Sequence, residues 1–417
     1  MATQRWLGNA AAVNQVTTLT PSSPSVNDTF TVTCNSKSIS YQTAAGTVAD
    51  VSSGLANAIN SNAGNYAEFT EFTAQNSGTT IVLAGNTAGL PFTVSVSVTT
   101  SGIATFNQTA TTAATGPNDW ANGANWSTGS VPATGDDVYF DAGKVPCLYN
   151  LAQSSVTLDS LNVYAAYTGT IGLPLYNTLG YREYRTQELT ISATTVNIGQ
   201  QINPGVGAGS GRIKLNVGAN ACTLNVLATG QALDTGFPTL LWRGTSSSNV
   251  VNLNKGNIGL AFNPGDAATV ATLNIGQVSN VGDVQLVCGA GCTLTTVNKN
   301  SGTAVLNAGA TTITHYAGTL TLQAGAVTTL NCYGGTTVWN TTGTIGTVNF
   351  YDNAILDLSQ DQRVKTVTNA INVDSEAPQI LDPFKVLSGG NALVLSLNGT
   401  TDLSKLEIGE KLTLSRS

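Results

Sequence analysis

Few side chains in this chain can do chemistry, and their spacing limits what each can do. Cleaving a glycosidic bond takes two carboxylates about 5 to 9.5 Å apart. The later part of the chain offers Asp283, Asp352, Asp357 and Asp361. Asp352 and Asp357 fall within one repeat of the sequence, and no acid stands one repeat earlier at either position. Uronate lyases need acidic calcium ligands beside a Lys or Arg base, and no such cluster is present. The single histidine, His315, sits in Thr314-His315-Tyr316 with no Ser or Cys in a recognisable nucleophile elbow. Cys288-Gly-Ala-Gly-Cys292 has the look of half a metal site. It lacks a second Cys or His pair at finger-like spacing, which leaves buried thiols or a disulfide within the loop. Asp136-Asp137 lacks the alternating acids of a calcium loop and reads as a turn cap. These patterns predict no catalytic residue, no metal and no cofactor.

Binding chemistry is better represented. The loop from Tyr176 to Arg185 carries Tyr176, Tyr181 and Tyr184 with Arg182, Glu183 and Arg185. Aromatics with arginine are enriched where proteins meet, so this loop is an expected partner interface. A sugar-contact patch and a simply tethered loop are the alternatives. Arg5, Trp6 and Leu7 form a second expected contact. They lie on a polar leading arm, where an exposed Trp is unfavourable unless a partner covers it.

These groups must be positioned by short, self-similar segments. Gly302-Thr303, Gly318-Thr319 and Gly335-Thr336 mark one turn at spacings of 16 and 17 residues. Val297, Ile313, Leu330 and Val348 recur ahead of those turns, and Tyr316, Tyr333 and Tyr351 recur with them. Such a period fits one coil of a β-solenoid, two or three strands joined by glycine turns. The spacing predicts an inward column containing Val297, Leu306, Ile313, Leu322, Leu330 and Val348. Leu-Asn recurs at 215–216, 224–225, 253–254, 273–274, 306–307 and 330–331. Stacked Asn side chains can hydrogen-bond along a rod. About ten coils at about 4.8 Å each predict a rod roughly 50 Å long.

Composition agrees with an all-β class. Only 9% of the 417 residues are charged, while 41% are hydrophobic and 44 are glycine. Net charge is −7 with no run of Lys or Arg, which argues against a nucleic-acid partner. No stretch has the roughly 18 apolar residues of a membrane helix. The first residues lack a basic n-region followed by an apolar run, which predicts synthesis and folding in a host cytoplasm with reduced cysteines: Cys34, Cys147, Cys222, Cys288, Cys292 and Cys332.

The expected order is an N-terminal arm over 1–20, then a ββαββ attachment module over 21–100. Within it, Thr29–Thr33 and Ser38–Gln42 read as a hairpin. Val48, Val51, Leu55, Ala58 and Ile59 share one helix face behind the N-cap Thr47. A linker and opening cap follow over 101–155, with Trp120, Trp126 and Phe140 plugging the end of the solenoid. The parallel β-helix is expected over 156–365, right-handed, interrupted by insertions at Leu175–Thr186 and Thr229–Ser248. A small β cap over 366–417 closes it.

The block Asn118-Asp119-Trp120, Asn125-Trp126-Ser127, Val131-Pro132 and Gly135-Asp136-Asp137-Val138-Tyr139-Phe140 resembles the lead-in to β-solenoids of autotransporter-like and phage-encoded proteins. Gln4-Arg5-Trp6-Leu7-Gly8-Asn9-Ala10, the module with Ala88-Gly89-Leu90-Pro91-Phe92-Thr93, and Tyr167-Thr168-Gly169-Thr170-Ile171-Gly172-Leu173-Pro174 look like phage or prophage virion proteins. The likeness spans about residues 1–175. It implies a virion structural protein, a capsid decoration or spike protein, with copies of itself in a homotrimer and the major capsid protein as partners. A tail fibre or tailspike binding host polysaccharide, and a bacterial surface adhesin, are the alternatives.

Overall fold

The computed structural model describes residues 2–200, 211–230, 237–276, 284–374 and 378–389, and the backbone of strands Val394–Leu397 and Thr413–Arg416. It is mainly β, 49% strand against 7% helix, and is dominated by a long parallel sheet of 19 strands. Through most of that sheet each strand pairs in parallel with the second strand after it, so the chain circles once and lays each coil on the last. This pairing is consistent with a β-solenoid.

Side-chain alternation along each strand sets the interior. One row runs Val196, Leu224, Val251, Leu273, Val297, Ile313, Leu330, Val348 and Ile371, each the register partner of the next. All nine are buried. The opposite wall contributes Leu215, Trp242, Leu260, Cys288, Leu306, Leu322 and Trp339, also buried. Every coil removes its apolar face from water only against its neighbours, which is why the stack is continuous.

One residue beyond the first row, an asparagine ladder runs along the rod. Asn197 donates to Asn162, Asn225 to Asn197, Asn252 to Asn225, Asn274 to Asn252 and Asn298 to Asn274, all at 2.8 to 2.9 Å. It resumes as Asn349 to Asn331 and Asn372 to Asn349, both at 2.7 Å. Each amide donates one way and accepts the other, so one rotamer satisfies every rung. Thr314 takes the asparagine's place between Asn298 and Asn331.

The ends of the sheet correct the expected boundaries. Residues 1–20 are not a separate arm. Thr3–Arg5 pairs in parallel with Asp137–Phe140, which pairs with Ser160–Val163, so the chain begins inside the ladder. It then leaves to build a small unit and returns. That unit has a four-stranded antiparallel sheet, with Phe72–Asn76, Ile81–Gly85, Val16–Ser22 and Thr105–Thr112 in spatial order. A three-stranded sheet of Lys37–Gln42, Thr29–Cys34 and Val94–Thr99 lies with it. Val16–Ser22, expected in the arm, and Thr105–Thr112, expected in a linker, are therefore neighbours in one sheet. Helix Val48–Asn62 starts where Thr47 Oγ1 accepts from Asp50 N at 3.2 Å, and buries Val51, Leu55 and Ile59. At the other end, Lys365–Asp374, Val394–Leu397 and Thr413–Arg416 continue the parallel ladder past residue 365, so these stretches are coils and not a separate cap. Leu240–Arg243, inside the expected insertion at Thr229–Ser248, pairs with Ile213–Asn216 as an ordinary coil strand. Residues 231–236 of that insertion lie outside the described residues.

Candidate functional site

The residues singled out for binding gather at two places, and both are largely closed within the chain. The first is the end of the parallel ladder at Thr3–Arg5 and Asp137–Phe140. Trp6, at 6% exposure, packs edge-on to Trp126 with centroids 5.0 Å apart, and Trp126 packs edge-on to Trp120 at 4.7 Å. Phe140 lies 5.6 Å from Trp6, and Tyr167 lies 5.1 Å from Phe140. Trp6 Nε1 donates to Val145 O at 3.0 Å, and Trp126 Nε1 to Trp120 O at 2.8 Å. Trp6 is therefore covered by its own chain and is not free for a partner. Arg5 stays exposed, ion-paired to Asp141 with its guanidinium over the Tyr139 ring, and Leu7 is exposed. Asp136 caps this end by accepting from Ala133 N at 3.0 Å and Ala2 N at 2.7 Å.

The second place is a clasp between the tyrosine loop and the small unit. Glu71, at the end of a short 3₁₀ turn (Ala67–Glu71), is 4% exposed. Tyr181 and Arg185 bond its Oε1, and Tyr184 Oη donates to its Oε2 at 2.8 Å. Arg185 also reaches Glu183 through Nη1 at 2.9 and 3.1 Å and Pro91 O through Nε at 2.6 Å. Its guanidinium lies 4.5 Å from the Tyr184 ring centroid. Burial, then the bond to Glu71, pushes the Tyr181 hydroxyl above its usual range. Two buried carboxylates around one arginine form a satisfied network, and such networks hold one geometry. Tyr181, Tyr184 and Arg185 are thus spent on an intramolecular joint, which corrects their reading as a surface for a partner. Tyr176 and Arg182 bridge as a tight hairpin whose tip exposes Leu175, Tyr176 and Leu179. Arg182 is exposed too.

The acids weighed for catalysis that fall among the described residues sit in turns and ion pairs. Asp357 accepts from Ser359 N at 2.8 Å, and Asp352 stands in a left-handed turn at φ 46°. Asp361 pairs with Arg363 and Lys365, and the bond from Arg363 leads in holding its carboxyl well below the usual range. Asp283 lies outside the described residues. All six cysteines are free and buried. The bond with Cys292, then burial, holds the Cys288 thiol far above its usual range. No group of three metal-capable side chains occurs among the described residues, and none of their helices is long and apolar enough to cross a membrane.

Inside the rod lies a pair the spacing did not single out. Lys299 and His315 are register partners, one coil apart, and both are fully buried. Lys299 Nζ donates to Ser301 O, Gly302 O and Ala317 O at 2.6, 2.7 and 2.9 Å. Aligning Thr272-Leu-Asn-Ile275 with Thr296-Val-Asn-Lys299 would have exposed it, since a lysine takes an isoleucine's place. Glu71 carries no comparable mark in the sequence. On the outer face, Tyr316, Tyr333 and Tyr351 stack with centroids 4.9 and 4.3 Å apart. Their faces cover one another, which leaves mainly edges toward solvent. No family model, curated protein or solved structure gives a significant match to this chain.

Proposed function

We propose that this protein is a structural component of a bacteriophage virion, a capsid decoration or spike protein with no enzymatic activity. On this reading the coils form a right-handed parallel β-helix, and the small unit between residues 13 and 115 is the attachment end. The observation that carries the proposal is the clasp. Arg185, Tyr181 and Tyr184 converge on the buried Glu71, so the unit is joined to the rod by charged hydrogen bonds as well as by two chain crossings. A joint of that kind suits a part that transmits load between a particle and a projecting rod. The interior of the rod is filled by side chains, and Asp352, Asp357 and Asp361 sit in turns and ion pairs, which supports a mechanical role over glycan cleavage.

The expected partners are two further copies of the chain and the major capsid protein, assembled in the host cytoplasm. The neutral Thr/Asn surface offers little repulsion between copies. The exposed hairpin tip with Leu175, Tyr176, Leu179 and Arg182 favours a second reading as a tail fibre, because aromatic and arginine side chains recur at binding surfaces. Micrographs of phage particles labelled with antibody to this chain test the proposal. Label on the head surface supports it, label at the tail moves it to the second reading, and unlabelled particles from a lysate rich in the protein overturn both.

A further inference from the structure

We propose that the coil containing Lys299 and His315 is an acid-sensitive break point built into the rod, where protonation of His315 opens the stack before it opens elsewhere. Along this inward row the neighbouring coils supply Ile275 above and Cys332 below. Here the same position holds a lysine and then a histidine, both at 0% exposure. The histidine is satisfied while neutral. Nδ1 lies 2.8 Å from Thr337 Oγ1 and Nε2 lies 3.1 Å from Ala317 O. The tautomer that fits donates from Nε2 to the carbonyl and accepts the threonine hydroxyl at Nδ1. A second proton turns Nδ1 into a donor and places a positive charge one rung from the Lys299 ammonium.

Among the described residues of the strands packed against it, no carboxylate offsets that charge. The strand above, Cys292–Lys299, presents Lys299, and the strand below, Val327–Cys332, presents the Cys332 thiol. Across the interior, Thr303–Leu306, Thr319–Leu322 and Thr336–Trp339 carry no titratable side chain. Burial, then the Lys299 charge, pulls His315 down to about 4, in line with this geometry. The same coil is the gap in the asparagine ladder. Thr314 stands between Asn298 and Asn331, so the side-chain bonds that tie other coils together are missing at this rung. An unfavourable buried charge and a weakened outer tie therefore fall on one coil.

Hydrogen exchange of the full chain, read by peptide mass at pH 7.5 and pH 4.0 and corrected for intrinsic rates, tests this. Peptides within 299–337 are expected to lose at least tenfold more protection at pH 4.0 than peptides within 211–230. His315→Gln keeps both hydrogen bonds in neutral form and is expected to abolish the excess loss. Lys299→Met removes the neighbouring charge and is expected to shrink it, which covers the case in which His315→Gln does not fold. Equal loss along all coils of the unaltered chain overturns the proposal, as does an excess loss left undiminished in a folded variant.

Discussion

Trp6 and Trp126, 120 positions apart in the chain, meet edge-on with ring centroids 5.0 Å apart. Trp6, next to the strand Thr3–Arg5, is thereby a lid on the Asp137–Phe140 end of the ladder. Replacing Trp6 with Ala removes the ring that covers Trp126 and Phe140. A buried Trp→Ala change costs about 3 to 5 kcal/mol. Thermal unfolding of the variant is expected to begin at a clearly lower temperature. A fragment starting at residue 117 lacks this lid and is expected to aggregate through its open end. A soluble, cooperatively melting 117–417 fragment would count against the lid.

The asparagine ladder can be tested at one rung. Asn252 donates to Asn225 and accepts from Asn274, both at 2.8 to 2.9 Å. Asn252→Thr copies the natural gap at Thr314 and is expected to cost about 1 kcal/mol, the net worth of a typical hydrogen bond. Asn252→Leu leaves Asn225 Oδ1 without its donor and Asn274 Nδ2 without its acceptor, with no polar replacement, and is expected to cost more. Urea unfolding at constant slope reads both. Equal midpoints for all three proteins would show that the ladder does not hold the coils.

The coil pattern was legible because it is local. Val297, Ile313, Leu330 and Val348 need only a fixed spacing to be recognised, and the glycine turns between them punctuate it. The lid was not legible, since Gln4 pairs with Val138 across a whole inserted unit and no periodicity links them. Thr105–Thr112 reads as a linker because all but two of its side chains are exposed on both faces, which erases the alternation of a half-buried strand. The residue types of the tyrosine loop mark it as a contact surface, but nothing in them names what it contacts. Glu71 lies over a hundred residues earlier, on a 3₁₀ turn whose sequence resembles any polar turn.

Stability is expected to rise with pH in two separate windows. Burial pulls Lys299 from 10.5 down to about 8 and His315 from 6.5 down to about 4. Both folded values lie below the unfolded ones, so the folded state binds fewer protons than the unfolded state in each interval. For His315 the cost is full below about pH 4 and vanishes as pH rises to 6.5. At about 1.4 kcal/mol per pH unit this amounts to about 3 kcal/mol. For Lys299 the corresponding window runs from about 8 to 10.5, as wide as that of His315. Chemical unfolding at pH 4, 7 and 10 measures the slope. Lys299→Met should remove the alkaline window and narrow the acidic one, because it also takes away the charge beside His315, whereas His315→Gln should remove the acidic one alone.

The clasp makes the small unit and the rod one cooperative body, and Arg185 is the residue on which that depends. Its side chain is 9% exposed, against 1% for Glu71 and 2% for Glu183. Arg185→Met leaves two carboxylates buried side by side with no cation. Breaking a buried pair from one side costs about 3 to 5 kcal/mol. Glu71→Gln is milder, because an amide still accepts from one tyrosine. Tyr181→Phe removes a single bond and is expected to cost about 1 to 2 kcal/mol. The decisive readout is the number of transitions. The unaltered chain is expected to melt with the unit and the first coils together, whereas Arg185→Met separates an early transition of the 13–115 unit from a later one of the rod. If calorimetry shows the unit melting alone in the unaltered protein, the clasp is a surface contact without mechanical consequence, and the role proposed for it in joining particle and rod fails with it.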